Sequence, residues 1–516
     1  MAQVRSGAAA AEVVPHRALI TVCAMVATLM QALDGTIANV ALPYMQGGLA
    51  ATADQITWVL TSYITAAAVM TAPVGFLSAR FGRKRVFLVS VGGFTLASVL
   101  CGAAQSLDQM VVFRLLQGAF GAALVPLSQS TMLDIYPPER RGSAMAIWGI
   151  GVMVGPILGP TLGGYLTDSY TWRWVFYVNL PFGILTFLGL LAFLPAEAEG
   201  ERRGFDWLGF GVLSLGIGAL QIMLDRGELK AWFGSNEIII EAALAALGLY
   251  LFVVHMLTAE RPFIPPRIFR DRNFLSGMGV MFAVGAILFA TAALIAPYLQ
   301  TLGDYPVFTA GLLMAPRGFG TMAALVVAGR LADRFDPRAV ILAGILLIAW
   351  TLYEMTGWTP DVSERTLVVN SVLQGVGLGL VFNPLQVVAF ATLDPKLRTD
   401  GTALISLVRN LGSAIGISVM SAMLTRNTQI MHADLVPFVT PLNRAFEMPG
   451  VREFWNPATA AGAAALNAEI TKQASIIAYG NDFKLLMLLA LGMLLLLPLM
   501  RRPARGAAPA GHAAMD

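Results

Sequence analysis

Long apolar stretches recur along the whole chain, and no other feature constrains its fold as strongly. A membrane span needs about 20 mostly apolar residues. Fourteen stretches meet that need, near 17–43, 56–78, 85–104, 108–132, 142–166, 174–194, 206–224, 236–257, 274–300, 307–329, 338–357, 366–391, 401–425 and 481–500. Each must satisfy its own backbone inside lipid, so the expected fold class is an all-α membrane protein. Composition agrees. Of 516 residues, 57% are hydrophobic and 13% charged, against about 25% charged in a soluble domain. A net charge of +3 gives no reason to invoke nucleic acid. Cys23 and Cys101 both fall in apolar stretches, which argues against a disulfide framework or a CxxC metal site. The first apolar run lacks a small-residue cleavage site and reads as a retained span.

Loop charge orients the spans. Alternate loops carry RFGRKR (80–85), PPERR (137–141), ERR (201–203), RPFIPPRIFRDR (261–272), GRLADRFDPR (329–338), DPKLR (394–398) and RRPAR (501–505). With the N-terminus they hold 22 of the 34 Lys and Arg, whereas the six short loops on the other side hold four: Arg173, Arg226, Lys230 and Arg365. This asymmetry predicts that the basic loops and both termini are cytoplasmic. Residues 426–480 then form a long polar and Ala-rich outside connection, whose stretches NTQIMHADLVPF (427–438) and ATAAGAAALNAEITKQAS (458–475) suggest helical pieces, read either as a tolerated insertion or as a docking surface.

Two motifs occur twice. GFLSARFGRKR at 75–85 resembles GRLADRFDPRA at 329–339, at an offset of 254. LLQGAFGAALVPL at 115–127 resembles VLQGVGLGLVFNPL at 372–385, and Gln117 matches Gln374 at an offset of 257. Each motif keeps its place within its half. The expected organisation is a tail (1–16), a six-helix half (17–194), a linker with two inserted helices (195–273), a second six-helix half (274–500, including the external loop 426–480) and a tail (501–516). Parallel six-span repeats organise major facilitator transporters, with the substrate path between the halves.

The motifs in order resemble the fourteen-span drug:proton antiporters of the major facilitator superfamily, and among them the EmrB-type multidrug permeases. LDGTIANVALP (33–43) is similar to the family signature of span 1, RLLQGAFGAA (114–123) to that of span 4, and GIGVMVGPILGPTLGGYL (149–166) to the antiporter motif of span 5. WRWVFYVNLPFG (172–183) and LQIMLDRG (220–227) complete the series. The resemblance implies a major facilitator fold of two six-helix halves plus two inserted helices. It implies proton-coupled efflux of hydrophobic or amphiphilic compounds across a bacterial inner membrane. It also implies an EmrA-like periplasmic adaptor and an outer-membrane duct as partners. The cytoplasmic 2–3 loop departs from the family: its usual acid is Ala79, while the second copy keeps Asp333.

Asp34 lies inside the first apolar stretch, where an ionised acid costs roughly 2.5–3.5 kcal/mol. Its depth, about 24 Å from the inner face at ~1.5 Å per residue, brings it within reach of Arg114, about 9 Å below the outer face. A cation favours the charged acid and loss of water disfavours it. Asp34 and Arg114 are therefore the candidates for proton coupling, although a static structural pair would use the same residues. Polar residues within the spans are candidates for the substrate path: Asn39, Gln117, Arg317, Gln374, Asn383 and Arg409. Gate and packing candidates are Gly75, Arg80, Gly82, Arg83, Gly155, Pro156, Gly159, Gly163, Gly164, Gly329, Asp333 and Arg334. The span 5 glycines make a groove that serves either a seal between the halves or ordinary helix packing. No P-loop occurs, so no nucleotide or other cofactor is expected and a proton gradient is the expected energy source. No HExxH or G-x-S-x-G motif supports a membrane-embedded enzyme. Within transport, the rival is export of one amphiphile, such as a fatty acid or siderophore.

Overall fold

The computed structural model describes residues 15–137, 140–195, 204–260, 262–394, 397–439, 451, 455–456 and 458–501. Its long helices are α1 (Arg17–Gly48), α2 (Trp58–Thr71 and Val74–Phe81), α3 (Arg83–Ala103), α4 (Leu107–Gly121 and Leu124–Ile135), α5 (Arg141–Ser169), α6 (Trp174–Tyr177 and Asn179–Phe193) and α7 (Trp207–Arg226). They continue as α8 (Asn236–Thr258), α9 (Arg272–Pro297), α10 (Val307–Met314 and Pro316–Arg334), α11 (Pro337–Met355), α12 (Glu364–Ala391), α13 (Arg398–Leu435) and α14 (Ala460–Gly492). No strand occurs among the described residues. Twelve helices there are long and apolar enough to cross a membrane, or thirteen when the two pieces of α2, bent by 55°, count as one. The 29-residue α5 is a further long helix, so the fold is compatible with fourteen spans.

Prolines set the breaks. A proline cannot donate to the carbonyl four residues back, and its ring crowds that carbonyl. Accordingly α2 bends at Pro73, α4 turns at Ala122–Ala123 ahead of Pro126, α6 breaks at Val178 ahead of Pro181, and α10 restarts at Pro316. Short polar side chains start the helices. Ser106, Asp206, Asp271, Asp336, Ser363 and Thr459 each accept a backbone N–H of the turn that follows. Gly82, with φ of 83°, makes the tight α2–α3 turn in a conformation that disfavours a side chain.

The two halves repeat one packing scheme. In the first, α1 packs on α5, α2 on α4, and α3 on α4 and α6. In the second, α9 packs on α13, α10 on α12, and α11 on α12 and α14. Between them α5 meets α10 and α2 meets α13, while α7 and α8 pair with each other and α7 also touches α2 and α13.

Polar bonds join the halves at one end of the bundle, the end where α2 turns into α3 and where α4 and α12 end. Gln129 Nε2 on α4 donates to Gln386 Oε1 on α12 at 2.7 Å. Asn383 Nδ2 donates to Gly142 O at 3.1 Å, and Thr402 Oγ1 donates to Pro126 O at 3.2 Å. Trp148 stacks on Phe382 with ring centroids 6.1 Å apart. Asp134 accepts from Arg83 of its own half at 2.6 Å and from Arg398 of the other half at 3.0 Å.

The segment 426–480 holds the helical pieces that its sequence suggests, continuous with the flanking spans. Most of its described length is helix, because α13 runs on to Leu435 and α14 begins at Ala460. At 38 and 33 residues, these helices measure roughly 57 and 50 Å at about 1.5 Å per residue. Both exceed a hydrocarbon core of about 30 Å. A bond between His432 and Asn467 at 3.0 Å ties the extended parts together.

Candidate functional site

The one ion pair with both side chains fully buried, among the described residues, joins α1 to α4. Arg114 Nη1 donates to Asp34 Oδ2 at 2.7 Å, and both side chains are 0% exposed. Four further side chains complete the cluster. Arg114 Nη1 also reaches Gln117 Oε1 at 2.8 Å, and Gln117 Nε2 donates to Asp34 Oδ1 at 2.8 Å. Asn179 Nδ2 donates to the same Oδ1 at 3.3 Å and to Ser98 Oγ at 3.0 Å. Ser98 in turn donates to Phe176 O at 2.9 Å, and Cys101 Sγ reaches Gln117 Oε1 at 3.4 Å.

Local sequence explains how five helices converge here. Arg114 and Gln117 are three residues apart, so they share one face of α4. Gly118 lets α4 touch α2, since a Cβ there would collide with Tyr63 O. That contact places Val59 O where Arg114 Nε donates at 3.0 Å, and the Tyr63 ring 4.1 Å from Arg114 Cζ. Phe176 covers the guanidinium as well, at 5.6 Å, so two aromatic rings shield the cation. The Val178 break then offers Asn179 on α6 to Asp34. A carboxylate that accepts from one guanidinium N–H and two amides is held by protein donors in a place without water, while Arg114 Nη2 is buried without a hydrogen-bond partner among the described residues.

The second half lacks this chemistry at matching positions. Gly375 approaches Arg317 O as Gly118 approaches Tyr63 O, so Arg317 is the counterpart of Tyr63. The offset of 257 puts Ser371 opposite Arg114. Gly412 meets Phe282 as Gly155 meets Ala32, and Gly416 meets Ala286 as Gly159 meets Thr36, which puts Val284 opposite Asp34. Gln374, the counterpart of Gln117, therefore has no acid or guanidinium to bridge. Both its amide atoms are buried without a partner among the described residues. The ionic network is a property of the first half alone.

Of the path candidates, Gln117 belongs to the buried network. Asn383 is buried and bonds Gly142 O and also Leu325 O, at 3.2 Å. Arg317 Nη2 donates to Leu288 O at 2.8 Å. Asn39 is exposed and bonds Gly35 O of its own helix at 3.4 Å, and Arg409 is half-buried on α13. Among the gate residues, Arg83 holds Asp134, and Arg80 lies 5.4 Å from the Phe81 ring. Gly75 lets the first turn of α13 approach, since a Cβ there would collide with Asp400. Gly329 likewise faces Gly142 O. Gly155, Gly159 and Gly163 pack α5 on α1 of their own half, at Ala32, Thr36 and Ile37. That is helix packing within one half, and Gly164 takes no part because it faces open space. The side chains of Pro156, Asp333 and Arg334 lie outside the described residues. Asn179, Ser98 and Tyr63 escaped the sequence reading. Asn179 had a signal: a lone amide in an apolar span, just ahead of a proline.

A profile of the Major Facilitator Superfamily matches residues 24–417. The chain belongs to the major facilitator superfamily. It is similar to the multidrug export protein EmrB of Escherichia coli (strain K12), 36% identical over 82% of this chain and 83% of that protein. It is similar also to the fatty acid resistance protein FarB of Neisseria gonorrhoeae, 35% identical over 82% and 84%. The human organic anion transporter MFSD10 shares the fold, with a TM-score of 0.57 at 15% identity over 92% of this chain and 100% of that one. This major facilitator protein is thus a multi-pass membrane transporter and not an enzyme.

Proposed function

We propose that this facilitator exports hydrophobic or amphiphilic toxic compounds in exchange for protons across a bacterial inner membrane. The observation that carries the reading is the Asp34–Arg114 pair with Gln117 and Asn179, fully enclosed in the first half. An acid so placed costs too much to keep without a purpose. A network confined to one half allows a proton step there while cargo moves between the halves. No cofactor enters the scheme, and the proton gradient supplies the energy. In this reading the end joined by Gln129, Gln386 and Asp134 faces the cytoplasm, so the sealed side is the inner one. The similarity to EmrB proteins supports several unrelated cargoes.

The partner reading rests on α13 and α14. Their extended parts form a helical pair that projects on the outer side, and an EmrA-like periplasmic adaptor with an outer-membrane duct would dock there. A stable interface needs roughly 800 Å² per partner, more than the short outer turns offer.

The test is export from proteoliposomes under an imposed pH gradient. The Asp34→Asn variant should insert, fold and lose gradient-driven export. Wild-type export by that variant would refute the coupling. A second reading, export of a single amphiphile, draws on the similarity to FarB. Deleting the protein from its host separates the two. Sensitivity to several chemical classes supports multidrug export, and sensitivity to fatty acids alone supports the second reading.

A further inference from the structure

Protonation changes what Asp34 needs. A carboxylate only accepts hydrogen bonds, whereas a protonated carboxyl must also donate one. The three groups bonded to Asp34 all present N–H: Arg114 Nη1, Gln117 Nε2 and Asn179 Nδ2. A proton arriving on Asp34 therefore meets donors only, unless one amide turns over to offer its carbonyl.

Gln117 is pinned. Its Oε1 already accepts from Arg114 and from Cys101, and turning it would aim its amino group at the guanidinium. Asn179 has no such constraint. Its amino group spans Asp34 Oδ1 and Ser98 Oγ, and the hydrogen of Ser98 is committed to Phe176 O. The titratable groups facing Asp34 are Arg114 on α4, Tyr63 on α2 and Cys101 on α3. The α6 contribution is the Asn179 amide.

We propose that Asn179 is a positioning residue that reads the protonation state of Asp34, presenting its amino group to the carboxylate and its carbonyl to the protonated carboxyl. This rests on the reading of Asp34 as the proton carrier. Turning over gives up the Asn179–Ser98 bond. Ser98 also holds Phe176 O, so the Val178 break of α6 lies between the two partners that respond. The proton's arrival is thereby passed to the hinge of α6 without any further charge.

The experiment uses the full chain in proteoliposomes with ¹³C-carbonyl-labelled asparagine side chains. Infrared difference spectra across a pH titration should show an asparagine carbonyl band that shifts with pH in the parent. The band change should vanish in Asp34→Asn, and in Asn179→Leu, which keeps the size but neither donates nor accepts. With ethidium as the probe cargo, Asn179→Leu should slow gradient-driven efflux about tenfold, the scale of one hydrogen bond to a charged group. Asn179→Ser, whose hydroxyl both donates and accepts, should recover much of that loss. A pH-dependent asparagine band that survives in Asn179→Leu or Asp34→Asn overturns the proposal, as does its absence from the parent. Parental export by Asp34→Asn, with the band intact in the parent, instead overturns the coupling reading alone.

Discussion

Arg114 does three tasks with one side chain. Its Nε fixes α4 to Val59 O of α2, its Nη1 serves Asp34 and Gln117, and its plane lies under Tyr63. A lysine has the charge but not the fork. Arg114→Lys should therefore insert normally yet lose most gradient-driven export, measured in proteoliposomes. Removing the cation altogether leaves a buried acid unpaired. Arg114→Ala should cost about 3–5 kcal/mol, seen as a lower unfolding temperature in detergent. Adding Asp34→Asn to that variant should return part of the loss. Wild-type stability of Arg114→Ala would show that the pair is not sealed from water. Asp34 and Arg114 were legible in the sequence because charge is rare in apolar stretches. Asn179 and Ser98 were harder to find, since neutral polar residues are common in spans and only the fold shows which of them meet.

At the scale of elements, glycines decide how close the helices come. Gly118 meets Tyr63 O and Gly375 meets Arg317 O, so α2–α4 and α10–α12 touch at matching points of the two halves. A methyl group at either position must push backbone apart. Gly118→Ala and Gly375→Ala should each cost about 1–3 kcal/mol, read from thermal unfolding in detergent. Only Gly118→Ala should also impair export, because it shifts Val59 O and Tyr63 away from Arg114. Equal loss of export in both would assign the effect to packing alone. Helix existence was readable from hydropathy, and the breaks follow from the prolines. The extensions of α13 and α14 were legible as helical pieces, but their continuity with the spans was not, because their turns there are polar and Ala-rich and an apolar window stops where the helix does not. The span 5 glycines were seen, but their spacing could not tell whether α1 or the other half lies against them.

At the scale of the whole molecule, the halves must separate on the sealed side during each cycle of export. Gln129→Cys with Gln386→Cys, in a chain carrying Cys23→Ala and Cys101→Ser, which keeps a donor to Gln117, should cross-link on oxidation and stop export until reduced. Undiminished export by the cross-linked protein would show that this end never opens. The projecting pair makes a separate prediction. Replacing residues 430–475 with a short Gly/Ser linker should leave cargo binding in detergent intact but abolish co-purification of the proposed adaptor. The repeat was legible from two motifs at nearly one offset, whereas the contacts between the halves were not, because no single-helix pattern reports them. The Gln129–Gln386 bond spans 257 residues, the same interval that relates Gln117 to Gln374. Each glutamine thus bonds its own counterpart, across the axis that would exchange the halves. Only a residue that is its own complement can do that. A carboxamide carries a donor and an acceptor, so two copies fit, whereas two carboxylates or two ammonium groups repel. A single Gln129→Glu change would still be met by the Gln386 amide, whereas a carboxylate at both positions would hold the seam apart.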